Sequence, residues 1–172
     1  MQMTDILPVA AWAELEQDIT RRFGVNAHVY NDKGQPFTGH ATWENRLCLA
    51  IRETKSAATG ICAVINQALG HEVRETKAPA ITDCDAGMLV VCVPLFIKGE
   101  LVGMVGGCGG FADDNEPETF LLEKMAGLAE DKVEEICAGM PRKTAEEVQA
   151  MSDYIEARVA EIVKEYEARQ GN

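Results

Sequence analysis

The sequence lacks several features that would each define a broad class of protein. No apolar run in its 172 residues approaches the roughly 18–20 residues of a membrane-spanning helix. Positive charge is scarce, because 16 Lys and Arg stand against 28 Asp and Glu and the net charge is −12. Nucleic acids and anionic membranes bind cationic surfaces, so we expect neither as a partner. The first residues also lack the basic start of a signal peptide, and we expect a cytoplasmic protein.

The cysteines lack the spacing of the common metal and redox motifs. No two of the six form a CxxC pair, so the zinc-ribbon and thioredoxin motifs are missing. Without an export signal, and in a chain long enough to build a core, we expect reduced thiols. The carboxylates of Asp83 and Asp85 beside Cys84 disfavour a nucleophilic thiolate, which needs a positive neighbourhood. We therefore expect no enzyme. A small cysteine-dependent enzyme is the least favoured of three functional hypotheses.

The apolar patterns predict one domain over residues 1–172, with a core at about 8–140 and a last helix at about 144–170. Strands and grouped helices in this order indicate an α+β fold. We expect a PAS- or GAF-like central antiparallel sheet of about five strands, with helices inserted between strands 2 and 3 and flanking N- and C-terminal helices. The predicted elements in chain order are a helix at 8–23, a hairpin at 25–39, a helix at 42–52 that Thr42 would cap, a helix at 61–76, strands at 80–84, 88–97 and 101–110, and two closing helices.

Two of the predicted strands form the centre of the sheet. The run MLVVCVPLFI is apolar on both faces, as expected for a strand covered on both sides. Its partner LVGMVGGCGG is rich in glycine, which marks a bulge or the close approach of another group. A tight turn at 98–99 places Cys108 opposite Leu89 in a regular ladder. Cys84 and Cys108 then face opposite sides, unless the break at 85–87 resets the alternation.

Several ordered motifs carry a resemblance to a known family. The chain resembles the PocR sensory-domain family over roughly residues 8–168, which implies a PAS-like domain that senses small molecules in bacterial signalling, such as simple diols and hydrocarbon derivatives. The family's C-H-A-G-L signature has an aspartate, Asp85, in place of the histidine, so the ligand or its protonation should differ. The matching positions are Asp32, Gly34 and Pro36 of the hairpin, Cys48, Cys62, the stretch Cys84-Asp85-Ala86-Gly87-Met88, and Pro94, Gly99 and Gly103.

The first functional hypothesis is a ligand pocket between the sheet and the helices at 42–76. A pocket of this kind combines an apolar mouth with a few polar groups. The two aspartates either accept hydrogen bonds from a hydroxylated ligand or belong to a solvated turn, and the sequence leaves both readings open. The ligand-binding candidates are Asp83, Cys84, Asp85, Gly106, Gly107 and Cys108.

The second hypothesis is a redox or gas sensor that depends on a metal ion or an iron–sulfur cluster. Thiolates from two helices and a strand end would converge on the metal, with a fourth from the glycine-rich strand. The sequence does not decide between this cofactor and none. The candidate ligands are Cys48, Cys62, Cys84 and Cys108.

The remaining expectations concern packing and assembly. Trp12, Trp43 and Tyr30 are expected to pack in the core or hairpin, and His28 to be exposed. The last helix has a long apolar stripe, which predicts a homodimer through residues 144–168 together with the first helix. The alternative is that both helices cover the domain's own sheet. Neither the ligand nor the signalling partner can be named from the sequence.

Overall fold

A four-stranded antiparallel sheet runs through the centre of the protein, in a computed structural model that describes residues 1–40 and 44–171. The strand order is β1-β4-β3-β2, and a two-stranded parallel sheet, β5-β6, lies apart from it. The strands are β1 (Asn26–Asn31), β2 (Ala80–Asp83), β3 (Leu89–Ile97), β4 (Glu100–Cys108), β5 (Phe111–Ala112) and β6 (Arg142–Lys143).

The helices follow the predicted order and are grouped before, within and after the strands. A π-helical segment, Ala58–Ala63, joins two of the inserted helices. π-Helical segments are rare in proteins, and those that occur are often found at functional sites. The helices are α1 (Met3–Ile6), α2 (Val9–Phe23), α3 (Arg46–Glu53), α4 (Lys55–Ala57), α5 (Val64–Thr76), α6 (Thr119–Ala126), α7 (Glu130–Cys137) and α8 (Ala145–Gln170).

The architecture confirms the predicted α+β fold with helices inserted after the first hairpin. The predicted second strand is reduced to one isolated bridge between Tyr30 and Pro36. Proline has no N–H to donate, which limits the pairing that this return segment can make. The predicted helix boundaries follow from local signals. Gly24 ends α2 in a left-handed conformation, and Thr144 and Glu147 form a capping box at the start of α8.

Helices α2 and α8 cover one face of the sheet. Trp12 is fully buried there, and its indole N–H donates to the Met3 carbonyl at 3.0 Å. The stripe of α8 that motivated the predicted dimer is therefore already covered within the chain, and a homodimer stays a prediction. The buried residues of this stripe are Val148, Met151, Ile155, Val159, Ile162 and Tyr166.

The opposite face of the sheet is covered by α3, the π-helical segment and α5. Leu69 and Val73 of α5 pack against Val90 and Met104 of the sheet. This packing is incomplete, and it leaves a cavity between the sheet and the inserted helices. The predicted helix cap Thr42 and the predicted core residue Trp43 lie outside the described residues.

Candidate functional site

The cavity lies on the sheet face where the sequence predicted a pocket. Its volume is about 50 Å³, measured as the space open to the centre of a water molecule. Its wall is predominantly apolar, with few polar side chains. The lining residues are His28, Tyr30, Cys48, Ile51, Arg52, Ile61, Cys62, Ile65, Asn66, Leu69, Cys84, Met88, Val90, Val91, Cys92, Met104, Gly106, Gly107 and Cys108.

Sulfur is concentrated around this cavity. Five of the six cysteines line it, and all six are free thiols. They reach the cavity from separate elements: α3, the π-helical segment, the turn after β2, and strands β3 and β4. The thioethers of Met88 and Met104 also face the cavity. The cysteines at the cavity are Cys48, Cys62, Cys84, Cys92 and Cys108.

A bulge in β4 decides which way Cys108 points. The ladder begins as predicted, with Ile97 paired to Glu100, and then shifts by one residue between Leu95 and Phe96. Cys108 consequently pairs with Val90. The predicted pairing with Leu89 was wrong, because a regular ladder takes no account of the extra residue in β4. Since side chains alternate along a strand, this shift moves Cys108 to the face that holds the cavity.

The Asp-Cys-Asp stretch turns its thiol inward and its carboxylates outward. The Cys84 N–H donates to the Met88 carbonyl at 2.7 Å, and the Gly87 N–H donates to the Cys84 carbonyl at 2.8 Å. In this turn Cys84 lines the cavity, while Asp83 and Asp85 are exposed and do not. Of the six predicted ligand-binding residues, the structure brings four to the cavity: Cys84, Gly106, Gly107 and Cys108.

Gly106 and Gly107 approach different parts of the protein. Gly106 lies between His28 of β1 and Cys92 of β3, and a β-carbon there would be 2.6 Å from the Val91 carbonyl oxygen. At Gly107 a β-carbon would be 2.9 Å from Val25 Cγ2, on the face covered by α8. A side chain at position 107 would therefore point away from the cavity, and Gly107 lines the cavity with its backbone atoms.

An asparagine pair that the sequence analysis missed ties α3 to the sheet. Asn45 caps α3, because its Oδ1 accepts from the N–H groups of Leu47 and Cys48 at 2.9 and 3.2 Å. Its own N–H donates to Asn26 Oδ1 at 3.2 Å, and its Nδ2 lies 3.0 Å from Met88 Sδ. The capping preference of asparagine was the available signal, but Thr42 was chosen instead.

Burial keeps most of the cavity thiols protonated. It raises the pKa of Cys84 to about 11 and that of Cys92 to about 12. Asp83 and Asp85 are not the cause, although they flank Cys84 in the sequence. Backbone N–H groups of Met88 and Ala86 partly offset the effect of burial on Cys84.

Cys48 and Cys108 act on each other, and their pKa values shift in opposite directions. The interaction with Cys108, followed by burial, raises the pKa of Cys48 well above its usual range. The interaction with Cys48 lowers the pKa of Cys108, with help from Asn26 and from the charge of Arg52. Negative charge is thus better accommodated on Cys108 than on Cys48.

The cavity opens towards a surface groove of about 300 Å³. The residues shared by the cavity and the groove form its mouth: His28, Tyr30, Arg52, Cys62 and Asn66. His28 was expected to be exposed, and this was wrong: it is 6% exposed. The inserted helices cover its strand face, and burial, with smaller contributions from Arg52 and His40, lowers the pKa of His28 to about 4. It is therefore a neutral imidazole at pH 7.

The predicted metal ligands Cys48, Cys62, Cys84 and Cys108 all line the cavity. Within residues 1–40 and 44–171, however, no group of three or more His, Cys, Asp or Glu side chains is arranged to hold a metal ion. The same part of the chain has no helix long and apolar enough to cross a membrane.

One comparison with known proteins identifies a relationship over nearly the whole chain. The model of the PocR family, described as the sensory domain found in PocR, matches residues 5–166. No curated protein matches the chain. The match confirms the resemblance inferred from the ordered motifs.

Proposed function

We propose that this chain, which belongs to the PocR sensory-domain family, senses a small organic molecule in the sulfur-lined cavity between its sheet and inserted helices. The cavity carries this proposal, because it combines apolar walls with a few polar groups at its mouth, as ligand pockets do. The role is that of a non-catalytic receptor in the cytoplasm, which passes its state to a signalling partner.

The size of the cavity limits the ligand to a very small molecule. One water needs roughly 10–15 Å³ of this kind of space, so 50 Å³ holds about three to five atoms of similar size. This corresponds to a short alcohol, a diol or another simple hydrocarbon derivative. A sugar, a nucleotide or an aromatic amino acid exceeds this space unless the helices move apart.

The polar groups at the mouth suit a hydroxylated ligand better than a charged one. His28 is neutral at pH 7, and burial raises the pKa of Tyr30 well above its usual value, so both present uncharged ring groups. The Asn66 amide offers a donor and an acceptor. One hydroxyl would bond in this region while the carbon chain packs against Ile61, Ile65 and Leu69.

A thermal-shift series tests this function directly. The protein is titrated with ethanol, 1,2-propanediol, 1,3-propanediol, 1,4-butanediol and glycerol, and saturable stabilisation is expected for one or two of them. Cys62→Leu adds volume at the cavity mouth and should abolish that stabilisation. Cys137→Leu makes the same change at a half-buried cysteine that does not line the cavity, and should keep it.

Two outcomes would reject the proposal. In the first, no compound of the series, nor a wider set of small ketones and haloalkanes, stabilises the wild-type chain. In the second, Cys62→Leu and Cys137→Leu respond alike, which places any binding elsewhere. Melting of both variants without ligand shows that each is folded.

A further inference from the structure

Three sulfur atoms from separate segments of the chain line the cavity. Cys48 Sγ of α3 lies 3.8 Å from Met88 Sδ, which immediately precedes β3. Cys108, at the end of β4, packs against the buried cluster that contains Cys48 and Met88. The set consists of two thiols and one thioether.

The separation of the Cys48 and Met88 sulfurs matches a sulfur-only metal site. Metal–sulfur bonds to thiolates are about 2.3 Å long, which in a trigonal arrangement places the sulfurs about 4 Å apart. The observed distance between Cys48 and Met88 is 3.8 Å. We infer that Cys48, Met88 and Cys108 form a binding site for one soft monovalent cation, Cu(I). The site goes beyond the proposed function and does not depend on it.

The chemistry of the ligands selects Cu(I) over commoner metals. Thiolate and thioether sulfur are soft ligands that favour Cu(I), whereas Mg²⁺ and Ca²⁺ take oxygen. Structural Zn²⁺ takes four Cys, His or carboxylate ligands. In the described part of the chain, no three His, Cys, Asp or Glu side chains are arranged to hold a metal ion. The third ligand of the proposed site is instead a thioether, which disfavours zinc.

Two asparagine side chains surround the sulfur atoms and hold them in place. The Asn45 amide fixes Met88 at 3.0 Å while its oxygen caps the helix that carries Cys48. Asn26 is fully buried and faces Cys108 across the β1–β4 pair. Its Nδ2 has no hydrogen-bond partner among the described residues, and its side chain favours the thiolate form of Cys108. A donor in this position would stabilise a metal-bound thiolate.

Charge and access are also compatible with a bound cation. Two thiolates and one Cu(I) carry one net negative charge, and the positive charge of Arg52 acts on Cys108. The mouth shared with the surface groove gives a route from solvent to the sulfurs. On binding, the two thiols release their protons to solvent and no electron is transferred.

Competition with bicinchoninate under anaerobic conditions tests the site on the full chain. The wild type should withdraw one equivalent of Cu(I) from the coloured complex. Cys48→Ser and Cys108→Ser each remove a direct ligand and should weaken Cu(I) binding by more than about 100-fold, which is the upper range for loss of an outer-shell partner. Met88→Leu should weaken Cu(I) binding by about 10-fold. Cys92→Ser, at the same cavity, and Cys137→Ser, away from it, should bind as the wild type does.

The metal's own spectrum separates this site from other thiol chemistry. The X-ray absorption spectrum of the Cu(I) protein should show a first shell of sulfur alone. A shell with nitrogen, uptake of several equivalents with equal affinity, or equal loss of binding in Cys92→Ser would overturn the inference. If Cys48→Ser does not fold when its melting is measured without copper, the half-buried Cys108→Ser decides the question alone.

Discussion

Asn26 and Cys108 face each other across strands β1 and β4, and the buried Asn26 amide acts on the Cys108 sulfur. The Asn26 oxygen meanwhile accepts from the backbone of Asn45, the cap of α3. One side chain thus links the sheet, the inserted helix and the thiol with the lowered pKa.

Replacement of Asn26 by Leu should raise the pKa of Cys108, because the polar side chain that favours the thiolate is lost. The midpoint of iodoacetamide alkylation at Cys108, followed by peptide mass spectrometry, should move to higher pH. Cys137, which does not line the cavity, is measured in the same digest as the internal control and should keep its midpoint. An unchanged midpoint at Cys108 would show that Cys48 alone sets its pKa.

Removal of the carboxylates beside Cys84 should leave its ionisation unchanged. Burial raises the pKa of Cys84 to about 11, and both aspartates are exposed. The double variant Asp83→Asn, Asp85→Asn should therefore alkylate at Cys84 with the wild-type pH midpoint. In urea-unfolded protein the midpoint should fall towards the ordinary range near 8.5, since burial is lost. A clear downward shift in the folded double variant would make the carboxylates the cause.

Acidification should destabilise the protein through His28. Its folded pKa of about 4 is below the ordinary value of 6.5, so between these pH values the unfolded chain binds a proton that the folded chain does not. The contribution of His28 to the free energy of unfolding is fully present above pH 6.5, and the free energy of unfolding falls by about 3 kcal/mol as the pH approaches 4. Urea unfolding at several pH values should show this loss in the wild type and less of it in His28→Gln. The exposed His71→Gln is the matched control.

The two adjacent glycines should differ in their tolerance of alanine. At Gly106 the new methyl meets a backbone carbonyl of the neighbouring strand, which cannot yield without moving the sheet. At Gly107 it meets a valine methyl, which can shift. We expect Gly106→Ala to cost about 2–3 kcal/mol and Gly107→Ala less than about 1 kcal/mol in denaturant melts. The reverse order would contradict the described packing of β4.

Truncation of Ile155 on α8 should destabilise each chain by itself. The side chain is fully buried against the chain's own sheet, so Ile155→Ala should cost about 2–5 kcal/mol. The loss in melting temperature should not depend on protein concentration, and Glu156→Ala on the outer face should have little effect. A loss that grows on dilution would instead place this stripe in a dimer interface, as the sequence predicted.

Local patterns in the sequence determined the helices, the α+β class and the general place of the cavity. Apolar spacing and capping residues act over a few positions, so α2 and α8 could be located to within about two residues. The family motifs singled out Cys48, Cys62 and Cys84 as candidate site residues, and all three line the cavity. The capping asparagine Asn45 was within reach of these rules and was overlooked.

Only the tertiary structure decided which side chains face the cavity. A single extra residue in β4 shifts the ladder and brings Cys108 to the same face as Cys92. The burial of His28 depends on helices that follow it by some twenty residues or more. Side chains alternate along a strand by a local rule, but the face on which a given residue lies is set by pairing between distant segments. The direction in which each thiol points was therefore decided by the tertiary structure.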